Sequence, residues 1–241
     1  MAERKSGQKA RFLALLLLCS APLLFLEYHR SRQGAAVLAP ETPKLIALTF
    51  DDGPRRATTA SLLDGLAQRG ARATFFLVGL NIDENEDLVL RMEAEGHQVG
   101  VHSQTHKMLT GLNAADFYDE VATLAIRLEH LLGHGGFALR PPYGMVDGGV
   151  RRMADAPIIQ WSIDPEDWSD KDTARQVEHI VSRVRDGDII LLHDIYPSSV
   201  DTALQVVDAL LAEGFFFVTV DELFEAKGIT PENGQVYMHA R

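Results

Sequence analysis

Three observations in this sequence predict an α/β fold with parallel strands. Short apolar runs alternate with helix-length amphipathic segments, the order expected of parallel strands joined by right-handed crossovers. A chain of 241 residues, 46% hydrophobic, can bury one sizeable core, and single α/β barrels reach this length. The unusual polar clusters are not scattered; each follows an apolar run. An α/β barrel and an open doubly wound sheet both satisfy this order.

The elements follow in sequence from residue 44. "KLIALTF" reads as a strand, "TTASLLDGLAQRG" as a helix ending at Gly70, and "ATFFLVG" as the second strand. "EDLVLRMEAEG" is a helix stopped by Gly96, followed by the third strand, "HQVGVH". "NAADFYDEVATLAIRLEHLLG" predicts a long helix with Asn113 as cap and Val121, Leu124, Ile126, Leu128, Leu131 and Leu132 as its apolar stripe. "GFALR", "PIIQWSI", "DIILLH" and "FFFVTV" complete seven strands, with helices "TARQVEHIVSRVR" and "SVDTALQVVDALLAEG" among the later ones. The tail "GITPENGQVYMHAR" is turn-rich and is assigned no function.

Before this body, residues 1–33 hold a basic start and a 12–26 run, "FLALLLLCSAPLLFL", free of charge. At 1.5 Å per residue it spans roughly 23 Å against a bilayer core of about 30 Å, which suits a signal peptide's apolar region. Retained uncleaved, it would anchor the chain in a membrane, the basic flank inside and the body outside. Residues 34–43, "GAAVLAPETP", read as a linker to a single domain over 44–241. That body keeps 17 of the 23 Lys/Arg and 31 of the 34 Asp/Glu, a formal charge of −14. So acidic a body repels phosphate backbones, which argues against nucleic acid as a partner. The one cysteine, Cys19, lies in the apolar run without the small residue a lipoprotein cleavage site needs. The body therefore has no disulfide, and any metal must be held by His and carboxylate.

"DDGP" follows strand one, "HSQTH" strand three, "RPPYG" strand four, "DPEDW" strand five and "HD" strand six. Asp-Gly-Pro alone is good turn chemistry. Five such accidents at C-terminal strand ends are improbable, because in parallel α/β folds that rim is where loops build active sites. His102 and His106, four apart, reach one side if their segment is helical. Two His and one Asp suit Zn²⁺ with positions left open. Of Asp51 and Asp52, one can bind the metal while the other stays free as a base, the residues themselves not assigning which. His29, His97, His130, His134, His179 and His239 read as surface or interhelix residues.

"TFDDGP", "HSQTH", "RPPYG", "DPEDW" and "LLHD", in this order, resemble the five motifs of the polysaccharide deacetylases, the NodB-homology group or carbohydrate esterase family 4. The resemblance covers about residues 44–227 and implies an irregular (β/α)7 barrel. It implies a divalent metal, Zn²⁺ or another such as Co²⁺, and removal of acetyl from N-acetylglucosamine units of a glycan such as peptidoglycan or chitooligosaccharide. By the same resemblance Asp51 is the general base, Asp52, His102 and His106 bind the metal, and His193 is the general acid. Arg140 would aim Asp51, Asp167 would keep His193 protonated, and Tyr143 would offer its backbone N–H to the oxyanion. Trp168 and Leu191 would wall the acetyl pocket, with Asp164 only capping its loop.

Two rival functions share these residues. A lectin-like barrel that binds glycan without catalysis has no need of His193. De-O-acetylation of xylan or another acetylated polysaccharide uses the same attack on an ester.

Overall fold

The computed structural model describes residues 43–241, and Pro43–Arg241 form one compact unit. The 1–33 segment read as an export signal, the expected linker up to residue 42 and His29 lie outside the described residues. No helix among the described residues is long and apolar enough to cross a membrane.

The central strand, β1 (Lys44–Asp51), pairs in parallel with β2 (Thr74–Leu77), β5 (Ile189–His193) and β6 (Phe215–Val218), and β2 pairs with β3 (Gln98–Val101). A second ladder joins β4 (Ile158–Ile159) to β7 (Val236–Tyr237). Between them run the helices α1 (Arg56–Arg69), α2 (Glu86–Ala94), α3 (Ala114–Leu132), α4 (Gly148–Met153), α5 (Thr173–Val181), α6 (Pro197–Ala212) and α7 (Val220–Ala226). Caps end them where the sequence provides them. Asn113 accepts from Ala115 and Asp116 N–H at 3.0 Å, and Gly70 and Gly133 close α1 and α3 in left-handed conformation. Thr219 and Glu222 form a reciprocal capping box on α7.

Because side chains alternate along a strand, β1 feeds two cores. Ile46, Leu48 and Phe50 pack with Leu62, Leu63 and Leu66 of α1 and Val206, Val207 and Leu210 of α6. Ala47 belongs to the opposite face, with Phe76, Ala138, Ile159, Ile189, Val220 and Phe224. Both faces are covered, as a parallel sheet requires, and each large apolar side chain contributes about 1.5–3 kcal/mol by burial. The second face carries Thr49 and Asp51 upward to the C-terminal rim.

Four expectations need correction. "GFALR" forms no extended strand; Leu139 alone makes single parallel bridges, to Val101 and to Ile158. Gly136 is left-handed, and Pro141 and Pro142 offer no N–H to a ladder. "PIIQWSI" narrows to β4 plus one bridge, Ile163 to Ile190, and its ladder partner β7 comes from the turn-rich tail. On α3 the expected stripe holds at Leu124 and Leu128, which are buried, and at Val121, Leu131 and Leu132, which pack against the core, but Ile126 is exposed, since it sits two residues, some 200°, from Leu124, and Phe117 and Glu120 join the buried face. His97 is a core residue, its Nδ1 accepting from Ala73 N–H at 3.1 Å, and burial lowers its pKa to about 4.

Candidate active site

The first loop of the site leaves β1 through Asp51 and turns at Asp52, whose φ of 74° is left-handed. Such a conformation costs a non-glycine residue roughly 1–2 kcal/mol, least for Asn and Asp. Neighbours hold the turn. Asn81 Nδ2 donates to Asp52 O at 2.8 Å, and Val78 N–H donates to Gly53 O at 2.9 Å. Gly53 is required by close approach, because a Cβ there would lie 2.3 Å from the Asp194 carboxylate oxygens. Asp194 is buried beneath the loop, accepting from the Thr59 hydroxyl. Burial pushes its carboxyl up to about 7, the Thr59 bond opposing and the Asp52 charge reinforcing the rise.

The second loop follows β3 and is not helical: Ser103 and His106 are both left-handed. The two histidines converge by a folded loop rather than by helical spacing. His102 Nδ1–H donates to Arg140 O at 2.6 Å, which fixes the tautomer and leaves Nε2 for the site, 3.5 Å from Asp52 Oδ1 and 3.7 Å from Asp51 Oδ2. His106 Nε2 lies 3.0 Å from Asp52 Oδ1. One ligand atom each from Asp52, His102 and His106 fall within 4.8 Å of one another. Asp52 Oδ1 is buried and, despite that proximity, has no donor in hydrogen-bond geometry, the arrangement expected when lone pairs converge on a common cation. The donor set, two imidazoles and one carboxylate, suits a divalent metal of the zinc type. Burial works to raise the Asp52 pKa, but the two imidazoles outweigh it and hold the carboxyl far below the usual range. Contact with Asp52 raises His106.

Arg140 is wholly buried with its donors placed. Nε donates to Ile159 O at 3.0 Å, Nη1 to Thr49 Oγ1 and Asp51 Oδ1 at 2.8 Å each, and Nη2 to Gln160 O at 2.9 Å. Its guanidinium also stacks 4.1 Å from the centre of the Phe76 ring. Asp51 is thus a buried carboxylate aimed by one cation.

In the β1–β5 ladder the register partner of Asp51 is His193. His193 Nδ1 lies 2.7 Å from Asp167 Oδ1, and its backbone N–H donates to Asp167 Oδ2 at 2.8 Å, so Nε2 is left for the site. Burial works to lower its pKa, but Asp167, helped by Asp51 and Asp52, raises it to about 9. His193 is therefore protonated at neutral pH.

The remaining predicted residues surround this centre. Tyr143, left-handed at φ 63°, lies in the first turn of a short 3-10 helix, Pro142–Gly144, where backbone donors have no partner within the helix. Its ring meets His106 edge-on at 4.8 Å. Leu191 is buried two residues before His193 on the same row of β5, while Trp168, next to Asp167, is about half exposed on the rim. Asp164 accepts from Glu166 N–H at 2.8 Å, as a loop cap does. Three participants escaped the sequence reading: Thr49 under Arg140, Lys171, and Glu120. Lys171 donates to Asp167 O at 2.6 Å and lies over the Tyr196 ring. Glu120 had a signal, a carboxylate inside the apolar stripe of α3.

The polysaccharide deacetylase family model matches residues 39–157. The peptidoglycan-N-acetylmuramic acid deacetylase PdaC of Bacillus subtilis is 37% identical over 184 residues, covering 76% of this chain and 39% of that protein. The peptidoglycan-N-acetylglucosamine deacetylase PgdA of Listeria monocytogenes is 37% identical over 198 residues, covering 80% of this chain and 42% of that protein. This chain thus spans about two fifths of the length of these two relatives. A solved structure, described as T48 deacetylase with substrate, superposes with a TM-score of 0.77 at 37% identity, over 81% of this chain and 96% of that one. The family-model match, together with a solved structure 37% identical and covered over 96% of its length, leaves one conclusion: the chain belongs to the polysaccharide deacetylase family.

Proposed function

We propose that this protein is a zinc-dependent hydrolase that removes acetyl groups from N-acetylglucosamine residues of an extracellular glycan of the peptidoglycan type. The observation that carries the reading is the register pairing of Asp51 with His193, a carboxylate beside a protonated imidazole at the edge of an Asp-His-His set. A carboxylate aimed by Arg140 and an imidazole aimed by Asp167, side by side, are placed to serve as base and acid.

In this mechanism Asp52, His102 and His106 hold the metal. A divalent cation there supplies a Lewis acid, which makes water easier to deprotonate and stabilises negative charge on oxygen. Asp51, oriented by Arg140, takes a proton from the attacking water as the new C–O bond forms at the acetyl carbonyl carbon. The Tyr143 N–H receives the developing oxyanion. His193 Nε2 then gives its proton to the sugar nitrogen as the C–N bond breaks, releasing acetate and a free amine. Trp168 and Leu191 line the pocket for the methyl group.

The same reading extends to architecture and address. We interpret the sheet as an irregular (β/α)7 barrel, with the single bridges Val101–Leu139, Leu139–Ile158 and Ile163–Ile190 supporting its closure between β3 and β5. The catalytic domain is residues 44–241, exported by the 1–33 segment and either anchored by it to the outer face of the membrane or secreted after cleavage. Such an address makes peptidoglycan the favoured polymer.

The test is product analysis with the zinc-loaded full chain on N-acetylglucosamine oligomers and on peptidoglycan. Equal amounts of acetate and free amine, absent in Asp51→Asn, are expected. Acetate without amine from acetylated polysaccharide alone would assign the protein to ester substrates, and no acetate at all would leave a glycan-binding barrel.

A further inference from the structure

The loop that carries both histidines is strained, and its conformation must be held by something outside it. Ser103 has φ 67° and His106 φ 61°, both left-handed and both non-glycine. On one side, backbone bonds from the turn after β2 secure it: Gly79 N–H to Ser103 O at 3.1 Å and Leu80 N–H to Gln104 O at 3.0 Å. On the other side a single residue of α3 receives the loop's donors. Glu120 O accepts from Gln104 N–H at 2.7 Å, Glu120 Oε2 from Thr105 N–H at 2.9 Å, and Glu120 Oε1 from Thr105 Oγ1 at 2.7 Å. Glu120 is buried on a helix face otherwise made of Phe117, Leu124 and Leu128, where a carboxylate is costly unless its oxygens are satisfied. Here each oxygen has one donor, and both donors belong to the residue immediately before His106.

We propose that Glu120 is a positioning residue for the metal site: by clamping Thr105 from both its backbone and its hydroxyl, it sets the direction in which His106 presents Nε2 to Asp52. The inference rests on the reading above that Asp52, His102 and His106 bind the metal. His102 has its own orienting bond, to Arg140 O, at the end of a strand. His106 is one-third exposed at its side chain and lies at the far end of the loop, with the long Tyr143 hydroxyl bond to its carbonyl, 3.4 Å, as a further tie. The clamp on Thr105 is therefore the main restraint on the second histidine. Partners that orient metal ligands change affinity by about 10- to 100-fold when removed.

The experiment is competition for Zn²⁺ between the full-length protein and a chelating dye, run on wild type, Glu120→Ala, Glu120→Gln and Thr105→Val, with apo-protein melting recorded for each. Glu120→Ala should weaken zinc binding by about 10- to 100-fold. Glu120→Gln, which keeps one acceptor, should recover part of the loss, and Thr105→Val, which removes only the hydroxyl, should fall between it and wild type. The cobalt-substituted variants should also show an altered visible spectrum, which a general loss of stability would not produce. A folded Glu120→Ala that binds zinc within twofold of wild type overturns the proposal, whatever its melting temperature. Should Glu120→Ala fail to fold, Thr105→Val decides alone: unchanged zinc affinity and cobalt spectrum overturn the clamp. Failure of wild type itself to bind zinc would instead overturn the assignment of the three ligands.

Discussion

The two sides of this sheet are built differently, and the chemistry is divided between them. On the regular side, β1, β2, β3 and β5 form continuous parallel ladders, and Asp51, His102 and His193 stand at or just beyond strand ends. On the other, residues 139–168 make single bridges and short ladders, two adjacent prolines, and left-handed turns at Tyr143 and Glu166. The groups proposed to react, Asp51 and His193, come from the regular side. The residues that aim them reach across from the irregular one: Arg140 to Asp51 and Asp167 to His193. The comparison teaches that the proposed reacting groups are carried by regular strands and the loops that leave them, while the groups that aim them, Arg140 and Asp167, sit on segments with little regular pairing.

Breaking the regular side should have the largest effect. Asp51→Asn keeps shape but removes the proposed base, and steady-state assays on N-acetylglucosamine oligomers should show about a 10²–10⁴-fold loss in kcat. Turnover near wild type would remove Asp51 from the mechanism. Next comes the tie between the two sides. Arg140→Met strands Asp51 in a buried site without its cation, and denaturant unfolding should register a loss of about 3–5 kcal/mol.

A subtler change separates tuning from reacting. His193 is an acid only while protonated, and that form is lost as pH rises through its raised pKa, about 9. In Asp167→Asn the partner that raises it is gone while burial, which lowers it, remains. The alkaline limb of kcat/KM should therefore move to lower pH; a limb that stays in place would disconnect Asp167 from His193. The smallest effect belongs to the exposed rim. Trp168→Ala should leave stability within about 0.5 kcal/mol of wild type while raising KM several-fold. A large loss of stability there would mean that Trp168 is core, not pocket.

The same division explains what could be read from the sequence. β1, β2, β3 and β5 were legible because each is a short apolar run, three of them, β1, β3 and β5, ending in a cluster of polar residues, and the motif residues Asp51, Asp52, His102, His106, Arg140 and His193 do converge. The irregular side was read too regularly: "GFALR" shows strand-like composition, but Pro141 and Pro142 and the turn at Gly136 reduce it to one bridging residue, Leu139. β7 was hidden because two residues, Val236 and Tyr237, carry no periodicity. The loop of His102 and His106 has helical spacing but takes left-handed turns, which tertiary bonds from Glu120 and the β2 turn impose and local sequence does not announce. Lys171 stayed invisible because its hydrogen-bond partners are backbone carbonyls, which every residue has.

The central claim is the division of labour between Asp51 and His193, and leaving-group dependence tests it most directly. An amine must be protonated as it departs, whereas 4-nitrophenolate need not be. His193→Ala should lose about 10²-fold or more on N-acetylglucosamine oligomers yet stay within about tenfold of wild type on 4-nitrophenyl acetate, while Asp51→Asn loses on both. Equal losses on the two substrates for His193→Ala would contradict its role as the acid for the departing amine.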